Sequence, residues 1–153
     1  MLTNPQNTDP AANLRSDAGL ASALRVSLAR LTRRLRKQAV GHILTPTQLA
    51  ALAAVERHTT MTPGELAEHE KVQPPSMTRV VSHLEERGLL ARSPHPTDRR
   101  QVTLSVTPAG AALLKEERRR KEAWLAQRLG ELTPEEKAIL RRAAPILEKL
   151  SQM

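Results

Sequence analysis

The 153-residue chain is 39% apolar but has one tryptophan and no phenylalanine or tyrosine, so leucine, valine, alanine and isoleucine must build its core. Its formal net charge of +8 points to an anionic partner, and the absence of cysteine excludes disulfides, thiolate metal sites and thiol-based oxidant sensing. No apolar run approaches the ~20 residues of a membrane span, and MLTNPQNTDPAAN lacks the charged and apolar regions of a signal peptide, which leads to a cytoplasmic protein.

Residues 1–16 are polar and aperiodic, and a disordered N-terminal arm is expected there. From Asp17 a helical stripe begins, with Leu20, Leu24, Leu28, Leu31 and Leu35 at spacings of four and three. Gly41 is read as its stop. The opposite face carries Arg25, Arg30, Arg33, Arg34, Arg36 and Lys37, and residues 20–41 contain no acid. The leucine stripe suits either packing within the chain or a partner helix; residues 17–44 are taken as a candidate dimerisation helix, with the basic face left for long-range attraction or flanking phosphates. Thr45-Pro46-Thr47-Gln48 is a capping box leading a helix with Leu49, Leu52 and Val55 inward. Free N–H groups in such a first turn suit a phosphate, which makes Thr47 and Gln48 candidate backbone contacts beside the plainer reading of an ordinary helix start.

Residues 62–107 read as helix, tight turn, helix and a two-stranded wing. Thr62-Pro63-Gly64-Glu65 caps a short helix that buries Leu66 and Ala67. The next begins at Gln73 with Pro74 and Pro75 in its first turn, where no acceptor waits for an N–H. Met77, Val80, Val81 and Leu84 form its buried stripe. Ser76, Thr78, Arg79, Ser82 and His83 lie off that stripe and suit phosphates and base edges, with Gln73 and Pro75 at the start of the same face. Gly88 closes the helix by a left-handed residue. Leu89, Leu90 and Ala91 lead a strand, and Val102, Leu104 and Val106 alternate with Gln101, Thr103 and Ser105 in a second. The connection, residues 94–100, ends in Arg99 and Arg100. An arginine at a wing tip suits a narrow minor groove, and Asp98 is expected to hold the loop or orient a guanidinium. Residues 62–107 carry six bases and six acids, so the module itself is neutral.

Thr107-Pro108 starts a long helix through Ala111, Leu113, Leu114, Trp124, Leu125 and Leu129. Its middle, residues 115–122, is almost wholly charged and is expected to be exposed. Thr133-Pro134-Glu135-Glu136 caps a last helix with Ile139, Leu140, Ala143, Ile146, Leu147 and Leu150 on one side, and Pro145 is expected to kink or divide it. Residues 108–153 are thus read as a linker and a dimerisation helix.

The chain resembles the MarR family of bacterial winged-helix regulators. PPSMTRVVSHLEERGLLAR and DRRQVTLSVTPAG carry the likeness, with the family's D-x-R wing signature at Asp98 and Arg100 and its L-x-x-T-x-x-G run at Leu104, Thr107 and Gly110. The likeness extends from about Leu20 to the C-terminus. It implies a mainly α (α+β) fold, in which residues 45–107 form a winged helix-turn-helix flanked by N- and C-terminal dimerisation helices. It also implies a homodimeric repressor, nucleoid-associated through double-stranded DNA at a pseudo-palindromic operator, and often released by a small ligand. Carried over by position, Arg100 is the minor-groove arginine and Asp98 its supporter, while Ser76, Thr78, Arg79, Ser82 and His83 face the major groove or its phosphates. For an anionic aromatic effector, the resemblance offers Arg30, Arg33, Arg34, His42 and Trp124. The departure is Pro74-Pro75, which leaves Gln73 where a Ser or Asp cap is expected.

Nothing in the sequence supports catalysis or a cofactor: there is no Gly-rich phosphate loop, nucleophile elbow or H-E-x-x-H. His42, His58, His69, His83 and His95 are scattered, and no pair has metal-ligand spacing on one helix. The alternative of another class is a helical protein-interaction module that leaves DNA alone.

Overall fold

The computed structural model describes residues 14–38 and 44–153. In chain order these form α1 (Asp17–Arg36), α2 (Pro46–His58), α3 (Pro63–His69), α4 (Pro74–Glu86), β1 (Leu90–Pro94), β2 (Val102–Val106), α5 (Pro108–Gly130) and α6 (Pro134–Gln152). The mainly helical fold with a small wing is the expected one. Three helices begin with reciprocal capping boxes, Thr45/Gln48 on α2, Thr62/Glu65 on α3 and Thr133/Glu136 on α6. In each, one side chain satisfies a first-turn N–H while the other reaches back to the cap residue's own N–H.

Two compact units are present. In residues 40–123 the core is one apolar cluster. Leu52, Val55, Leu66, Met77, Val81, Leu84 and Leu104 are all below 2% exposed, and truncating any of the larger ones is expected to cost about 2–5 kcal/mol. The hairpin pairs β1 with β2 antiparallel, from Leu90 opposite Val106 to Pro94 opposite Val102. A third segment joins the sheet at one residue: the Met61 N–H donates to the Leu104 carbonyl at 3.2 Å, and the Leu104 N–H to the Met61 carbonyl at 2.7 Å. Sequence pattern did not show this, because one bridging residue has no periodicity. Leu89, expected in the first strand, instead completes the end of α4.

The charged middle of α5 is exposed or half-buried, as expected, except at Glu117. Glu117 is 3% exposed and lies 3.3 Å from Lys121 Nζ, while Arg118 Nη1 lies 2.6 Å from Glu56 Oε2 of α2. These charges pair with one another and with the module, so burying a carboxylate here does not strand it.

The other unit, residues 1–39 and 124–153, contains α1 and α6. Ser16 caps α1, accepting the Gly19 N–H at 3.1 Å, so the expected arm overlaps the described chain only at Leu14, Arg15 and this cap. The helix ends at Arg36, ahead of Gly41, which lies outside the described residues. Its final carbonyls are met locally, with the Lys37 N–H donating to Arg33 O and the Gln38 side-chain amide to Arg34 O. Pro145 does not divide α6, which runs unbroken to Gln152. The missing bond frees only the carbonyl of Arg141, an exposed residue that water can serve. The apolar stripes are uncovered: Leu20, Leu28 and Leu31 on α1, and Ile139, Leu140, Ile146 and Leu150 on α6, are all exposed.

Candidate nucleic-acid interface

The turn between α3 and α4 aims the second helix. Lys71 sits at φ +53°, while the Val72 N–H reaches the Ala67 carbonyl at 3.0 Å and the Lys71 N–H reaches Glu68 at 3.2 Å. This is the Schellman pattern with lysine in the place glycine favours. Gln73 then makes no side-chain cap bond, and the prolines explain why one is dispensable. Prolines at the first two helical positions delete two of the donors a cap would serve. Only the Ser76 N–H remains, because Met77 already donates to the Gln73 carbonyl at 3.0 Å.

Around α4, Gln73, Pro75, Ser76, Thr78 and Arg79 are exposed, whereas Ser82 and His83 are half-buried. The Thr78 hydroxyl donates to the Pro74 carbonyl at 2.9 Å, while the guanidinium of Arg79 makes no ion pair among the described residues. His83 is placed differently from its neighbours: its Nε2 is out of solvent and has no hydrogen-bond partner among the described residues, so that atom is not presented at the surface. A second Schellman pattern closes the helix at Gly88, φ +69°, with Leu89 N–H on Leu84 O and Gly88 N–H on Glu85 O, both at 2.9 Å.

At the wing tip, Asp98 holds the loop, as one of its two expected roles required. Its Oδ1 accepts the Arg100 N–H at 2.9 Å and its Oδ2 the Gln101 side-chain amide at 3.1 Å. His95 Nδ1 accepts the backbone N–H groups of Thr97 and Asp98. With those groups committed to the turn, Arg99 and Arg100 stand exposed, their guanidiniums in no ion pair among the described residues. Lower down, Arg92 of β1 lies 2.8 Å from Glu85 of α4 and ties the wing to that helix. This pair joins residues seven apart around a helix end, and no sequence motif announces it.

The start of α2 is organised by its cap. The Gln48 side chain accepts the Thr45 N–H at 2.9 Å and the Gln48 N–H donates to Thr45 Oγ1, so of the two candidates only Thr47 keeps an N–H without an intrahelical acceptor. The equivalent bonds at α3 hold the Glu65 carboxyl below its ordinary value, chiefly through the Thr62 N–H and then the Thr62 hydroxyl. At the far end of α2, Thr59 adopts φ +67°, ψ −51°, and the Thr60 N–H donates to the His58 carbonyl at 2.8 Å. This is a strained γ-turn centred on a β-branched residue. Beside it, His58, Thr60, Met61, Glu65, Glu68 and His69 line a cavity of about 400 Å³. The His58 and His69 rings meet edge to face at 5.1 Å, a pairing the sequence spacing hid. No group of three metal-ligating side chains occurs among the described residues.

Of the effector candidates, Arg30, Arg33 and Arg34 are exposed on α1, and Trp124 is half-buried on α5 with the Arg128 guanidinium 5.5 Å above its ring. His42 lies outside the described residues.

The sequence profile of the MarR family matches residues 44–102. The chain is 46% identical to the uncharacterized HTH-type transcriptional regulator Mb0904 of Mycobacterium bovis, over 88% of this chain and 94% of that protein. It is 32% identical to the HTH-type transcriptional repressor MdtR of Bacillus subtilis, over 91% and 90% respectively. Among solved structures, a MarR family protein from Bacillus stearothermophilus superposes with a TM-score of 0.76 at 26% identity, covering 91% of this chain and 97% of that one. Among the described residues, no helix is long and apolar enough to cross a membrane.

Proposed function

The chain belongs to the MarR family of DNA-binding helix-turn-helix transcriptional regulators, which are not enzymes, and on that premise we propose that it is a homodimeric repressor acting on a pseudo-palindromic operator in the cytoplasm. Each protomer lays α4 in a major groove and sets the wing arginine in the neighbouring minor groove. The observation that carries this reading is a set of exposed arginines that form no ion pair among the described residues, Arg79 on α4 and Arg99 and Arg100 on a wing tip whose Asp98 and His95 are engaged in the turn. Gln73, Pro75, Ser76, Thr78, Arg79 and Ser82 form the major-groove face, with the Thr47 N–H and Arg99 on flanking phosphates. Gln48 and His83 act through the cap and the packing they serve. The same proposal assigns release to a small anion held beside Trp124 and Arg128.

Arg100→Ala tests the core of this reading. Operator affinity at matched salt is expected to fall about ten- to a hundredfold with an unchanged melting temperature. Equal affinity of wild type and variant removes the wing from the interface.

A further inference from the structure

The two units divide the charge unevenly. Residues 40–123 hold twelve bases against ten acids, whereas residues 1–39 and 124–153 hold twelve against six. The module that reads sequence therefore carries little of the attraction that a polyanion would feel. Non-specific affinity for DNA is almost entirely phosphate neutralisation, and the larger cation excess available for it lies outside the module.

On α1 and its C-cap, Arg25, Arg30, Arg33, Arg34, Arg36 and Lys37 are all exposed, and among the described residues none forms an ion pair. The contrast with α5 is sharp, because Arg118, Arg119, Arg120, Lys121 and Arg128 each have a carboxylate partner. At helical spacing the six cations cover an arc of roughly 180° along about 18 Å of axis, and the five leucines occupy a narrower arc opposite. A duplex presents about one negative charge per 1.7 Å, so a face of this length and density matches it. The α6 helix of a second copy offers no such complement, since it carries Glu135, Glu136 and Glu148 against four bases.

We propose that the basic face of α1 is a second, sequence-independent binding surface for the phosphate backbone of duplex DNA. It rests on the DNA-binding reading above and extends it: α4 and the wing select the site, and α1 supplies salt-dependent grip. Arg30, Arg33 and Arg34, which the family likeness offered to an effector, bind phosphate instead.

The test compares the full-length wild type with R30Q/R33Q/R34Q and the charge-keeping R30K/R33K/R34K on a 60-bp duplex of random sequence, between about 50 and 200 mM salt. The glutamine variant is expected to bind at least tenfold more weakly at 100 mM salt. Its salt slope should be shallower by about 0.9 for each phosphate it no longer neutralises, while the lysine variant keeps the wild-type slope. A glutamine variant with wild-type slope and affinity overturns the proposal, as does equal weakening in both variants. Vesicles of phosphatidylglycerol and phosphatidylcholine form the second arm. Wild-type vesicle binding that the glutamine variant loses while duplex binding is untouched assigns the face to membranes and likewise overturns it. If wild type binds no duplex at all, the DNA-binding reading itself fails. If it selects an operator with an unchanged slope in the glutamine variant, only the role of α1 falls.

Discussion

Gly110 marks where α5 touches the end of α4. A Cβ built there would sit 2.3 Å from the Leu89 carbonyl oxygen and 2.8 Å from Val106 Cγ1, and Thr107 beside it bridges the two segments. Its hydroxyl donates to the Gly88 carbonyl and accepts the Gly110 N–H. The spacing of Leu104, Thr107 and Gly110 was visible in the sequence as a family signature, but its reason is the backbone approach, which only the fold reveals. Alanine normally stabilises a helix relative to glycine by up to about 1 kcal/mol. Here the sign should reverse: Gly110→Ala is expected to cost about 1–3 kcal/mol from the enforced overlap. Gly130→Ala, with nothing within 4 Å of the new methyl, should be neutral or slightly stabilising. Denaturant midpoints of the two variants check the contrast. His83 shows the opposite limit. Its position off the apolar stripe suggested an outward ring, yet a helical wheel does not show that one ring nitrogen is out of solvent.

Helix starts were the most legible elements, because a capping box is a local exchange between a threonine and a residue three positions on. All three boxes formed. Helix ends were harder, since closure at Lys71 uses a residue that disfavours φ above zero and so gives no signal. The Thr62/Glu65 box makes a testable electrostatic statement. The Glu65 carboxyl lies below its ordinary value of 4.5 in the folded protein, first because it accepts the Thr62 N–H. A depressed folded value means that its contribution is complete above the unfolded pKa and is lost as pH falls through the folded one. Glu65→Gln keeps an acceptor for the Thr62 N–H but does not titrate. Its melting temperature is therefore expected to fall less than that of wild type between about pH 5 and pH 3. Parallel melting curves across that window would place the acid sensitivity elsewhere. One such place is Glu116, whose carboxyl Arg119 and then Arg120 hold down to about 2.

At the scale of the molecule, the helical unit leaves its apolar stripes uncovered, with Ile139 64% and Ile146 60% exposed on α6. Exposed apolar patches of that kind mark an interface, and a core without phenylalanine or tyrosine gains from a second copy. Wild type is expected to sediment as a dimer at micromolar concentration. Ile146→Asp should shift it to monomer and lower operator affinity with it, because two half-sites one turn apart need two linked modules. A monomeric wild type contradicts the pairing. The amphipathic pattern of α6 was readable, but the burial of Glu117 was not. A run of eight charges looks uniformly solvated, and only the fold shows Glu117 turned inward beside Lys121 while Arg118 reaches Glu56 of α2.

The two prolines that open α4 carry a consequence for how such a protein changes its target. Where most helices recruit a side chain to secure their first turn, this one relies on ring geometry, and of the outward residues only Thr78 is tied back to it. Among the described residues the side chains of Ser76, Arg79 and Ser82 make no hydrogen bond or ion pair to the scaffold. Under the proposed DNA-binding reading, substitutions at those three positions are expected to change operator preference while leaving the melting temperature of the frame that displays them unchanged.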